Sequence, residues 1–112
     1  MKRRFRLTQS TDFKRVRFSG KSYAHPLVVL VTLPVKDEKL RVGVSASRSL
    51  GGAIERNRAK RLLREAIRQL IPVLPTGWNL ILIARNPLLN AAFPDIQTAI
   101  QGLLRKAGLT GN

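Results

Sequence analysis

Acid–base, nucleophilic and metal chemistry draw on a short list of side chains, and this chain holds few of them: six carboxylates, one histidine and no cysteine. Asp12, Asp37, Glu38, Glu55, Glu65 and Asp95 fall in different segments, and only Asp37 and Glu38 are neighbours, inside a polar stretch that reads as a turn. A nuclease acting alone needs converging carboxylates to hold metal, or an oriented general base. Neither pattern is present in the sequence, so no residue is assigned to catalysis and none to a metal. His25 directly precedes Pro26 at the start of an apolar run, where a structural or surface role is expected. The lack of cysteine rules out a disulfide framework or a thiolate site and agrees with a reducing cytoplasm.

What the chain has in excess is positive charge. Lys plus Arg number 21 against 6 acids, a formal charge of +15 and far more than solubility requires. Fourteen of the 21 are arginine, whose planar fork suits phosphate contacts and stacking on bases. The expected partner is therefore a nucleic acid and not a membrane. The apolar run Leu27–Leu33 is far too short to span a bilayer, and Leu7–Asp12 supplies no apolar core to a signal peptide.

The charge is densest from Glu55 to Ile71, together with the clearest helical pattern. Ala59, Leu62, Leu63, Ala66, Ile67, Leu70 and Ile71 recur at helical spacing and define a core face. Asn57, Arg61, Arg64 and Arg68 stack on the opposite side, with Arg58 on one flank and Arg56 and Lys60 on the other. Arg56 with Lys60, Lys60 with Arg64, and Arg64 with Arg68 are like-charged i, i+4 pairs, which repel unless a polyanion relieves them. The preceding loop, Ser47-Arg48-Ser49-Leu50-Gly51-Gly52, can approach phosphate closely, yet it lacks the Gly-Lys-Ser/Thr ending of a nucleotide-triphosphate loop.

The elements that must position these residues fit one domain over residues 1–112, given 44% hydrophobic residues. Residues 1–6 read as a mobile basic arm and 109–112 as a mobile tail. A short helix is expected over Gln9–Ser19, capped by Thr8 or Ser10 and closed by Gly20 in the left-handed region. Leu27–Leu33 and Leu40–Ser45 read as an antiparallel pair, with Lys21–Ala24 a candidate edge strand. The basic helix follows from Ala53 to Ile71. Trp78–Ala84 is a buried strand, and a last helix begins at Pro94 and ends at Gly108. The sum is an α+β fold, α-β-β-α-β-α, with helices packed on one small mixed sheet.

The string Arg56-Asn57-Arg58-Ala59-Lys60-Arg61-Leu62-Leu63-Arg64-Glu65 closely resembles the Arg-Asn-Arg signature of the bacterial ribonuclease P protein subunit. Asp12-Phe13 with Val16 and Gly20, Arg41-Val42-Gly43-Val44-Ser45, Ile81-Leu82-Ile83-Ala84-Arg85 and Leu103-Leu104-Arg105-Lys106 follow in that family's order. The resemblance implies a fold like the second domain of ribosomal protein S5, with a left-handed β-α-β crossover. It implies a cytoplasmic protein that joins ribonuclease P RNA to remove 5′ leaders from precursor tRNA, using Mg2+ held through the RNA, where the catalytic centre lies. No stable protein partner is implied.

By that resemblance Arg48, Arg56, Asn57, Arg58, Lys60, Arg61, Arg64 and Arg68 face the RNA subunit. Phe13, Lys14, Arg17, Phe18 and Val31 map to a cleft for the single-stranded leader. The match is uneven there. A second aromatic usual on the first helix falls on Arg17, with Phe18 one place along, and an aromatic usual on the central strand falls on Val31. A general or ribosomal RNA-binding protein is the alternative the charge allows. A DNA-binding protein stands third, since the basic helix lies between strands without a helix-turn-helix partner.

Overall fold

A computed structural model describes residues 1–111; Asn112, the last position of the expected tail, lies outside the described residues. The elements are α1 (Ser10–Ser19), β1 (Lys21–Ala24), β2 (Val28–Pro34), β3 (Leu40–Ala46), α2 (Ala53–Arg68), β4 (Trp78–Ala84) and α3 (Phe93–Lys106). Short 3-10 segments occupy Arg3–Phe5, Arg48–Leu50, Ile71–Val73 and Asn86–Asn90. The α+β order stands, and Lys21–Ala24 is indeed an edge strand.

The strand order is β1-β2-β4-β3, with β4 antiparallel to β2 and parallel to β3. The expected pairing of β2 with β3 is wrong, because β4 lies between them. Hydrophobicity gives the reason. Leu80, Ile81 and Leu82 are fully buried, as are Val28 and Leu30, so β2 and β4 both need cover on two faces and take the centre. β3 carries Arg41, Gly43 and Ser45 on alternate positions and tolerates an edge, as does the short, polar β1. Helix α2 then makes the crossover that joins parallel neighbours β3 and β4.

The larger core lies between one face of the sheet and helices α2 and α3. Leu63, Ile67, Ile96, Ile100 and Leu104 meet Val28, Leu30, Val42, Leu80 and Leu82 there. Each such side chain contributes roughly 1.5 to 3 kcal/mol by leaving water. A smaller core on the other face joins Leu7 and Val16 to Val31 and Ile81, with Phe13 packed against them. Register places Val31, Ile81 and Gly43 in one row across β2, β4 and β3, and α1 lies over that row. The next row on the same face is Val29, Ile83 and Ser45, and these three are only half-buried.

Two glycines seat α1, and Gly20 does so otherwise than expected. Gly20 has φ −80 and ψ 167, an extended conformation and not the left-handed one. It is needed because a Cβ would strike the Val16 carbonyl and come within 2.8 Å of both the Thr32 carbonyl and Val31 Cγ1. Gly43 lies beneath Phe13, where a Cβ would fall 2.5 and 2.6 Å from two ring carbons. The helix begins after Gln9 with no side-chain cap, so neither Thr8 nor Ser10 serves that role.

Among the described residues, segments near both ends of the chain pack on the sheet and core. The Leu7 amide donates to the Val42 carbonyl at 2.9 Å, Arg6 forms a parallel bridge with Val42, and Leu7 is buried. The expected arm 1–6 is thus docked along the open edge of β3, because Phe5 and Leu7 supply an apolar side among the cations. At the other end Gly108 adopts φ +76, and the Leu109 amide donates to the Leu104 carbonyl at 2.9 Å. This helix-ending pattern packs Leu109 into the core, so the folded unit continues past the start of the expected tail.

Candidate nucleic-acid interface

Helix α2 presents the charged face read from its periodicity. Ala59, Leu63, Ala66 and Ile67 are buried, which turns Asn57, Arg58, Arg61 and Arg68 to solvent. Leu62 and Leu70 reach only partial burial at the margins of the core face, and regular helix ends at Arg68, with Ile71 in the following 3-10 turn. Arg64, expected on the outer side with Arg61 and Arg68, instead joins Arg56 and Lys60 in a half-buried row on the flank of α2. Lys60 and Arg64 line a cavity with Arg6, Phe13 and Gly43, so this flank faces the β3 edge.

Arg64 is held below the usual guanidinium range, first by partial burial and then by the nearby charge of Arg6. Among the described residues the ion pairs are Asp12 with Arg15, Asp37 with Arg41 and Glu65 with Arg68. Arg56, Arg58, Lys60, Arg61 and Arg64 therefore have no carboxylate partner among the described residues. Arg68 differs. Its Nη2 donates to Glu65 Oε1 at 2.6 Å, a bond that lowers the Glu65 carboxyl and raises the guanidinium from their ordinary values. The expected row of free cations is thus interrupted at its C-terminal end.

At the N-terminal end of α2 the cap position is Gly52, which has no side chain to satisfy the first amides, and Gly51 adopts φ +131. A Cβ on Gly51 would meet the Glu55 side chain at 3.0 to 3.2 Å as well as straining the backbone. Arg48 lies exposed in the 3-10 turn just before. That turn is tied down: Ser47 and Ser49 hydroxyls lie 2.6 Å apart, and Ser49 Oγ donates to Asn86 Oδ1 at 3.1 Å. The loop thus carries Arg48 a few residues ahead of the uncapped start of α2, and a helix N-terminus favours a phosphate.

The expected cleft residues separate into three groups. Phe13 is half-buried over Gly43, and Arg17 follows it by one helical turn on the same side of α1, with Lys14 exposed beside it. Of these, Phe13 packs around the same small core as Val29 and Ile83. Phe18 points away, two residues from fully buried Val16 and 86% exposed, so it does not join Phe13 at the sheet. Val31 is 2% exposed beneath α1 and cannot contact a ligand. Val29 and Ile83 are the apolar side chains accessible on this floor. The period-two geometry of a strand puts Val29 and Val31 on one face, but the sequence does not say which of them a helix covers.

Remaining chemistry is structural. His25 Nδ1 accepts the Leu27 amide at 3.0 Å, fixing the turn into β2. Among the described residues no three His, Asp or Glu side chains converge. Among the described residues no helix is long and apolar enough to cross a membrane.

Residues 1–108 match the family described as Ribonuclease P. The ribonuclease P protein component of Herpetosiphon aurantiacus is 42% identical over 109 residues, covering 97% of this chain and 89% of that protein. The corresponding protein of Chloroflexus aurantiacus is 40% identical over 110 residues, covering 97% and 82%. Among solved structures, the RNase P protein of Staphylococcus aureus superposes with a TM-score of 0.84 at 30% identity, covering 96% of this chain and 98% of that one. That of Thermotoga maritima gives 0.79 at 27% identity, covering 90% and 96%.

Proposed function

Since this chain belongs to the ribonuclease P protein family, whose ribonucleoprotein processes tRNA, we propose that its charged α2 face binds the catalytic RNA and its α1 groove takes the single-stranded 5′ leader of precursor tRNA. The carrying observation is the run of unpartnered cations on α2, beside a separate groove with an apolar floor and an aromatic wall. Arg56, Asn57, Arg58, Lys60, Arg61 and Arg64, with Arg48 from the loop, hold the RNA subunit by phosphate contacts. Arg68 contributes less while Glu65 holds it.

Leader recognition rests on Phe13, Arg17 and Lys14 above Val29 and Ile83. Base-on-aromatic contacts contribute roughly 1 to 3 kcal/mol and tolerate any sequence, which suits leaders of varied sequence. The guanidinium of Arg17 can stack where relatives place an aromatic. Catalysis belongs to the RNA subunit, and Mg2+ enters through it, consistent with the scattered carboxylates of this chain.

Reconstitution tests this reading. Added to ribonuclease P RNA and precursor tRNA at near-physiological magnesium, the chain should stimulate 5′ maturation, and changing Arg61, Arg64 and Arg68 together to Ala should abolish the stimulation. A folded triple variant that stimulates as well as the parent would refute the assignment of α2.

A further inference from the structure

A separate cavity of about 680 Å³ lies where the docked N-terminal segment meets the turn after α2, and the residues assigned to RNA reach it only through Arg68. Its floor is apolar. Leu40 at the start of β3 and Ile71 and Leu74 after α2 are each buried, and Phe5 packs against the same core. Its rim is cationic: Lys2, Arg4 and Arg68 border it, and no carboxylate does. Arg68 is already held by Glu65 at 2.6 Å, whereas Lys2 and Arg4 have no carboxylate partner among the described residues. The pocket thus sets an apolar floor beneath uncommitted positive charge.

We propose that this pocket binds a small aromatic acid, its ring system on Phe5, Leu40, Ile71 and Leu74 and its carboxylate at Lys2 and Arg4. Charge selects the head group, since a carboxylate accepts from ammonium and guanidinium donors and Arg offers it a planar fork. The walls select an aromatic body over an aliphatic chain. The Arg4 guanidinium lies over the Phe5 ring, 4.8 Å from its centre, and the outer face of this exposed group is left for a second ring. Half-buried Met1 adds a thioether to the wall, a group that favours contact with aromatic rings. The volume lies within the roughly 300 to 1,000 Å³ of small-molecule sites. The site does not depend on the RNA-binding reading, and neither Phe13 nor the α1 groove takes part in it.

The test titrates the full chain, free of RNA, with naphthoate. Binding is followed by amide NMR shifts and by the emission of Trp78, the single tryptophan, which pairs in register with Leu40. Saturable shifts should centre on Phe5, Leu40, Ile71 and Leu74. The uncharged analogue naphthamide should bind about tenfold more weakly, as for loss of one charge-assisted hydrogen bond, and decanoate should also bind more weakly than naphthoate. Lys2→Gln should weaken naphthoate by a similar factor and leave naphthamide unchanged, whereas Arg4→Gln, which also removes the stacking cation, should weaken both. Lys2 and Arg4 are exposed, so both variants should fold, as circular dichroism checks. The comparison of the three ligands needs the parent chain alone. Naphthamide or decanoate bound as tightly as naphthoate, shifts spread over α1 and α2, or no saturable binding overturns the proposal.

Discussion

Replacing Glu65 with Gln should strengthen RNA binding, although it removes an ion pair. Glu65 Oε1 lies 2.6 Å from Arg68 Nη2, and both side chains are half exposed at the outer side of α2. Such a surface pair is screened by water and contributes little to stability, so Glu65→Gln should leave the fold intact. Its effect on binding is larger. The substitution removes a negative charge from a surface meant for polyanion and frees a guanidinium to reach phosphate. One recovered contact steepens the slope of log K against log salt by about 0.9 for a duplex region, which at about 0.1 M salt corresponds to roughly eightfold tighter binding. Filter binding of ribonuclease P RNA from about 50 to 400 mM salt measures both quantities, the range over which such slopes are read. A folded Glu65→Gln protein that binds with the parent's slope, or more weakly, would refute the placing of Arg68 and Glu65 at the RNA surface.

Gly43→Ala should destabilise the fold by about 1 to 3 kcal/mol, measured by urea unfolding, and lower leader affinity with it, because the new methyl displaces the Phe13 ring. Val31→Ala should cost about 2 kcal/mol as a core truncation, whereas Phe18→Ser, at an 86% exposed site, should change stability by less than about 0.5 kcal/mol. Leu109→Ala should cost about 2 to 3 kcal/mol, an outcome that a mobile tail would not produce. Acid should weaken the fold through Asp37 and Glu65. Hydrogen bonds from Arg41 and Arg68 lower these carboxyls in the folded state, so their stabilisation is present above the unfolded values and fades as pH falls through the folded ones. Melting temperature measured from pH 6 downward should decline in that window, and Asp37→Asn with Glu65→Gln should flatten the decline.

Helix α2 was legible because one periodic pattern specifies both its faces: apolar residues at i, i+3 and i+4 turn the cations outward whatever lies beneath. The ends of the helix and its neighbours were less so. Gly20 looked like a left-handed cap, but its smallness serves the close approach of Val16 and Thr32, a contact between segments that no local signal records. Arg3, Arg4 and Arg6 read as a solvated arm because charge dominated the composition. Phe5 and Leu7 decided the outcome through contacts with β3 and the cores, which lie far away in sequence. Glu65 was visible as one of two acids on a basic helix, yet its i, i+3 position toward Arg68 was the feature that mattered.

The pairing of β2 with β3 failed for a reason that also explains where the sites lie. Adjacency in sequence favours a hairpin, but a hairpin would have left Leu80–Ile83 on an edge with two apolar faces to cover. Inserting β4 buries that run and drives the alternating strand β3 outward. Once β3 is an edge, α2 reaches it from one face, α1 from the other, and the N-terminal segment runs along its open side. Cations that are distant in sequence, Arg6 and Arg64 among them, are thereby gathered at one rim of the sheet. Burial of the most apolar strand thus sets the place of the charge, and a change that loosened β4 would scatter these cations before it touched a single arginine.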